Sequence, residues 1–157
     1  MKKIFTLIVT AAICLTGTAK TADEVINELE KDNGAMVIRF NQKTLETQMG
    51  KTGDNDLKQI LKDIDNGCVV VMEGADKAKT DAFNSKTAEL DEAYEPIMTA
   101  FDGDDRVKVL GRTEGDTVKE VVVSVSDGDD CVMVYFAGSI PKDKIGQLIN
   151  NKTINFK

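Results

Sequence analysis

Residues 118–137 read VKEVVVSVSDGDDCVMVYFA, and this stretch decides the fold. Val121, Val123 and Val125 fall on one side of an extended chain, while Glu120, Ser124 and Ser126 fall on the other. That is the period of two expected when one face of a strand packs on helices and the other meets solvent. Asp127-Gly128-Asp129-Asp130 follows, with glycine to supply a positive φ and aspartates to bond their own backbone, the chemistry of a tight turn. Cys131–Ala137 then resumes the apolar run. Two strands joined so closely pair antiparallel.

Upstream, Arg106–Leu110 is a third strand, joined through Thr113-Glu114-Gly115-Asp116. The C-terminal part is therefore expected to be a three-strand meander. Between Ala75 and Phe101 the apolar positions recur at three, four and seven, which predicts one long amphipathic helix with a kink or end near Glu95, ahead of Pro96. Cys68–Met72 is apolar on both faces and reads as a buried central strand, and Met36–Phe40 as a strand by period two. Thr21 with Glu24 forms a capping-box pattern for a first helix that Asp32-Asn33-Gly34 stops. Lys43–Ile64 reads as two helical pieces about the loop Gly50–Asp54. Beyond the meander, Pro141 opens a helix over 142–149, and Thr153–Phe156 is expected to add an edge strand. The expected fold class is α+β, a mainly antiparallel sheet with a C-terminal three-strand meander and a long helix packed on one face.

The N-terminus predicts an address. Met1-Lys2-Lys3 precedes an apolar run from Ile4 to Leu15 and the small residues Thr16–Ala19, the pattern of a signal peptide over 1–19, with 20–157 a single domain. The run is shorter than the roughly 20 residues that span a bilayer, so no transmembrane span is expected in the mature chain. Lipid anchoring at Cys14 is not expected, because Ile13 stands where a lipoprotein leader needs a small residue. Cleavage takes Lys2 and Lys3 from 20 bases and leaves 18 against 27 acids, a net charge near −9. Such a surface repels phosphate backbones, so no nucleic-acid partner is expected. Cleavage also leaves two cysteines, Cys68 and Cys131, in an oxidising compartment. They are a candidate disulfide or two buried thiols.

Catalytic chemistry is hard to assemble. The chain has no histidine, which removes serine–histidine and cysteine–histidine catalysis and histidine-ligated zinc. The acidic segments Asp54–Asp56, Asp102–Asp105 and Asp127–Asp130 do not keep the ligand register of a calcium loop, nor does Asp63–Gly67, and they read as solvated turns. Arg39, Arg106, Lys108 and Lys119 read as strand charges facing away from the apolar set, that is, as solubilising charge rather than a site. No catalytic residue, metal or cofactor is assigned.

From about Gly67 to Leu148 the chain resembles the family known as domain of unknown function 4252, small exported proteins of Bacteroidetes. The resemblance rests on Cys68–Met72, Ala93-Tyr94-Glu95-Pro96-Ile97-Met98, Val107–Leu110, Lys119–Val125 and Val132–Ile140. Its more specific elements are the Tyr94-Glu95 pair and the strand-end glycine, Gly138. It implies export, often as a lipoprotein, with no established activity, and it transfers no site residue. The resulting expectation is a non-enzymatic protein of the periplasm or envelope that binds an envelope protein or a small ligand. The alternative is a hydrolase or carbohydrate-acting protein built on two facing carboxylates.

Overall fold

The computed structural model describes residues 19–150 apart from 52 and 54. The expected leader, except for Ala19, and the expected strand at Thr153–Phe156 lie outside the described residues. The first helix, α1 (Ala22–Asn33), starts on the Thr21/Glu24 capping box and ends at Gly34 in the left-handed conformation. Its buried residues Ala22, Val25, Ile26 and Leu29 fall at helical spacing along one face. The chain then makes β1 (Met36–Asn41), α2 (Gln42–Met49), α3 (Asn55–Leu61), β2 (Ile64–Met72) and α4 (Lys77–Ala88). A 3-10 turn (Glu89–Glu92) leads into β3 (Glu95–Asp102), β4 (Asp105–Glu114), β5 (Thr117–Ser126), β6 (Cys131–Pro141) and α5 (Lys142–Asn150). Among the described residues, no helix is long and apolar enough to cross a membrane.

The strands form one six-stranded sheet in the order β1-β2-β6-β5-β4-β3, antiparallel throughout. The α+β class and the C-terminal meander are as expected, and β3 extends the meander to four strands. The long helix is shorter than its apolar spacing predicts. Helical structure ends at Glu92, and residues 95–102 pair with β4. Pro96 supplies the reason, since it cannot continue a helix and holds Glu95 extended. It is tolerated in β3 because β3 is an edge strand, where a missing N–H costs no ladder bond.

The helices divide unequally between the two faces. On one, α1, α4 and the 3-10 turn bury Val70, Met72, Met133, Leu110 and Val122 against Val25, Ile26, Leu29, Phe83 and Leu90. Each such side chain contributes about 1.5–3 kcal/mol when fully buried. On the other, Leu45 of α2, Leu61 of α3 and Ile145 of α5 cluster with Phe40, Val121 and Phe136. The alternation in β5 is as read, but the faces are reversed. Ser124 and Ser126 are buried on the α4 side, where the Ser126 hydroxyl donates to Asn84 Oδ1 at 3.1 Å, and Val123 and Val125 are only half-buried.

Candidate functional site

Two features stand out, a polar junction under α1 and an open apolar face behind it. The junction is centred on Glu120. Tyr94, at the entry to β3, and Tyr135, on β6, both donate to Glu120 Oε1, at 3.0 and 2.8 Å. Arg112 Nη1 donates to Oε2 at 3.3 Å, and the Tyr94 hydroxyl accepts from the Ala22 backbone N–H at 3.1 Å. These are the two tyrosines of the chain, and they converge on a single carboxylate oxygen. Burial pushes the Tyr94 hydroxyl up to about 12, and burial together with Glu120 pushes Tyr135 further still. Both phenols therefore stay protonated at neutral pH and act as donors. The junction ties α1, β3, β4, β5 and β6 together, and its hydrogen-bonding capacity is used within the protein.

Beside Tyr135 a cleft of about 450 Å³ opens between α1 and the β1–β2–β6 edge, lined by Asp23, Asn27, Arg39, Asn66 and Cys68 among others. The Arg39 guanidinium is already held by Glu30 at 3.0 Å. Burial raises the Cys68 thiol, which keeps it from the thiolate form a nucleophile needs. The cleft offers polar contacts to a small molecule but no activated group.

The candidate disulfide does not form in this fold. Cys68 and Cys131 are free and buried. Cys68 lies opposite Tyr135, whereas Cys131 lies opposite Met72. A four-residue offset along a strand is about 13 Å, twice the Cα separation a disulfide accepts. The strand cations Arg39, Arg106 and Lys108 stand on the opposite face from Met36, Ile38, Val107 and Val109, the apolar set of their own strands. Arg39 lies opposite Cys68, and Arg106 and Lys108 lie opposite the buried Ser126 and Ser124, so all three belong to the face that α1 and α4 cover. Each has a neighbour of its own: Glu30 for Arg39, the Phe101 ring 5.8 Å from Arg106, and Asp91 for Lys108 at 2.8 Å. Lys119 donates to Ser139 Oγ at 3.2 Å. The four do not gather into one patch.

The acidic turns hold their own backbone. Asp127 Oδ1 accepts from the N–H groups of Asp129 and Asp130, at 3.1 and 2.8 Å, and Asp130 Oδ1 accepts from Gly74 N–H at 2.9 Å. Among the described residues, no group of three or more such side chains is arranged to hold a metal ion.

The second feature appears once the registers are followed across the sheet. Met36, Val71, Val132, Val125, Val107 and Ala100 stand opposite one another, strand by strand, across all six strands. The next row on the same face is Ile38, Val69, Val134, Val123, Val109 and Met98. Neither row contains a polar residue. Met36 and Ile38 are 54% and 52% exposed, the seven valines of the rows other than Val109 are half-buried, and Val109 is buried. With strands about 4.8 Å apart and residues about 3.4 Å apart, the two rows span a footprint on the order of 300–400 Å², part of which, at Val109, Val123 and Met98, packs against the second core cluster. An open sheet face is ordinarily polar, and an apolar patch of this size on a monomer is often functional. The sequence showed the valines but not the strand order that lines them up.

The shifts at the charged and buried groups predict how stability depends on pH. Lys20 and then Lys86 hold Glu28 below the usual carboxylate range, Arg39 does the same for Glu30, and the backbone N–H groups of Asp130 and Asp129 do so for Asp127. A lowered carboxyl stabilises above its unfolded value of about 4 and loses that contribution as pH falls. Tyr94, Tyr135, Cys68 and Cys131 are all raised, chiefly by burial. Their contribution is complete below the unfolded values of about 8.5–10 and is lost as pH rises. The expected Tm is therefore flat between about pH 5 and 8 and falls on both sides, as thermal unfolding followed by circular dichroism will show. A Tm still rising from pH 8 to 10 contradicts the assignment.

Compared with protein families, residues 29–148 match the model of a domain of unknown function, DUF4252. No curated protein matches the chain, and neither does any solved structure.

Proposed function

The chain belongs to the DUF4252 family, a domain of unknown function, and from that premise we propose that it is an exported, non-enzymatic interaction module that takes another protein on the open half of its sheet. The observation that carries this reading is the pair of apolar rows running unbroken across six strands, with Met36 and Ile38 more than half exposed. Exposing them to water costs stability that burial against a partner recovers, at about 25 cal/mol per Å². Export rests on the leader pattern at residues 1–19. The polar junction supports a scaffold role rather than catalysis, since its phenols are held protonated and its carboxylate is engaged on both oxygens.

The test is crosslinking of the tagged chain in its native envelope, with the neutral variant Val71→Ser/Val134→Ser and, as a comparison, the cleft variant Asn66→Ala. A stoichiometric crosslinked species that the face variant loses and the cleft variant keeps is the expected result. A species lost with the cleft variant alone, or recovery of the chain without a partner, moves the function away from this face.

A further inference from the structure

Resting on the reading of the open face as a contact surface, we infer that its partner is a single cationic segment of another protein carrying an apolar stripe. Two observations set this choice, the first being charge. The rows are flanked, at one end of the strands, by the turns and strand ends that carry Glu73, Asp102, Asp105, Asp127 and Asp130. All five are exposed, and among the described residues none is in an ion pair. A cationic segment meets this rim favourably, and a complementary rim gives specificity and speeds association. A second copy of the same chain brings a second acidic rim. The second observation is area. The two rows offer at most on the order of 300–400 Å², since Val109 is buried and Val123 and Met98 pack partly against the core, and that is half or less of the roughly 800 Å² per partner that a standard interface buries. That is too little for a sheet-on-sheet dimer and suits one amphipathic helix or strand laid across the valines.

The test uses two 18-residue probes, a helical peptide of leucine and lysine with one apolar stripe and its counterpart with glutamate for lysine. Each is titrated calorimetrically into the full chain at low and at moderate salt. The lysine peptide is expected to bind at least tenfold more tightly and to weaken several-fold as salt rises. The variant Val71→Ser/Val134→Ser, which changes no charge, is expected to lower that affinity at least tenfold. The variant Glu73→Gln/Asp102→Asn/Asp105→Asn is expected to bring the two peptides close to equal. Circular dichroism checks that both variants fold. Equal affinity for the two peptides, lost together in the valine variant, overturns the cationic partner and leaves the contact surface standing. Lysine-peptide binding that the valine variant does not touch overturns both, because general attraction to an acidic protein then accounts for it. Binding of neither peptide overturns the inference.

Discussion

Replacing Glu120 by leucine is expected to lower unfolding stability by about 2–5 kcal/mol, among the largest effects of any single substitution in this protein. The reason is what the substitution leaves behind. Tyr94 and Tyr135 are 3% and 8% exposed, and both hydroxyls lose their acceptor. A buried polar group without a partner costs about 1–3 kcal/mol. The contact with Arg112 adds little, because the guanidinium side chain is 57% exposed and exposed pairs contribute about 0–1 kcal/mol. Tyr135→Phe alone is expected to cost less, about 1 kcal/mol, since it removes donor and acceptor demand together. The two substitutions are therefore expected to be non-additive, the double variant being less damaged than the sum of the singles. Urea unfolding with an unchanged m-value measures this, and a loss below 1 kcal/mol for Glu120→Leu shows that the junction does not hold α1 and β3 to the sheet. The junction lies on the covered face, so below its lowered Tm the variant is expected to keep partner binding at the open face.

How far the sequence reveals this architecture depends on the range of the interaction that decides each element. Local signals are legible. The Thr21/Glu24 capping box, the turn at Asp127-Gly128 and the alternation through Val121–Ser126 appear in the structure where the chain places them. The stretch after Leu90 is misleading because Tyr94, Met98 and Phe101 keep helical spacing while Pro96 and the turn at Gly103 commit the backbone to a hairpin. The α4 helix buries Thr80, Phe83 and Thr87, two of which look polar in the sequence. The Thr87 hydroxyl resolves this by donating to the Phe83 carbonyl at 3.0 Å. The junction is invisible locally, since Tyr94 and Tyr135 lie 26 and 15 residues from Glu120. The open face and the distance between the two cysteines both depend on β6 pairing with β2, a contact that crosses about half the chain. Resemblance points to part of what composition and period miss, because Tyr94 and Gly138, its more specific elements, both have structural roles.

For Gly138 that role predicts a second large effect. The glycine lies in β6 opposite Ile64, where the start of β2 irregularly joins the ladder, and the Ser139 N–H donates to the Asp63 carbonyl at 2.9 Å. A β-carbon on residue 138 meets that carbonyl oxygen well inside contact distance and the Ile64 α-carbon at 2.9 Å. Both obstacles are backbone, so no side chain can turn aside, and the first residues of β2 must shift. Asp63 also accepts from Lys144 at 2.6 Å, and Ile64 packs with Ile140 and Ile145, so the shift loosens the seat of α5 as well. Gly138→Ala is expected to cost about 3 kcal/mol, the upper part of the range for overpacking. Gly146→Ala is the matched control. It lies in α5 with nothing within 4 Å of its added carbon, and it is expected to stabilise by about 0.5–1 kcal/mol through helix propensity. Thermal unfolding of the two variants side by side separates a steric effect from a general loss of glycine. Because the register of β2 on β6 is what aligns Val69 and Val71 with Val134 and Val132, Gly138→Ala is also expected to weaken binding at the open face. Unchanged stability and unchanged binding in that variant together mean that β2 does not enter the sheet where Gly138 makes room for it.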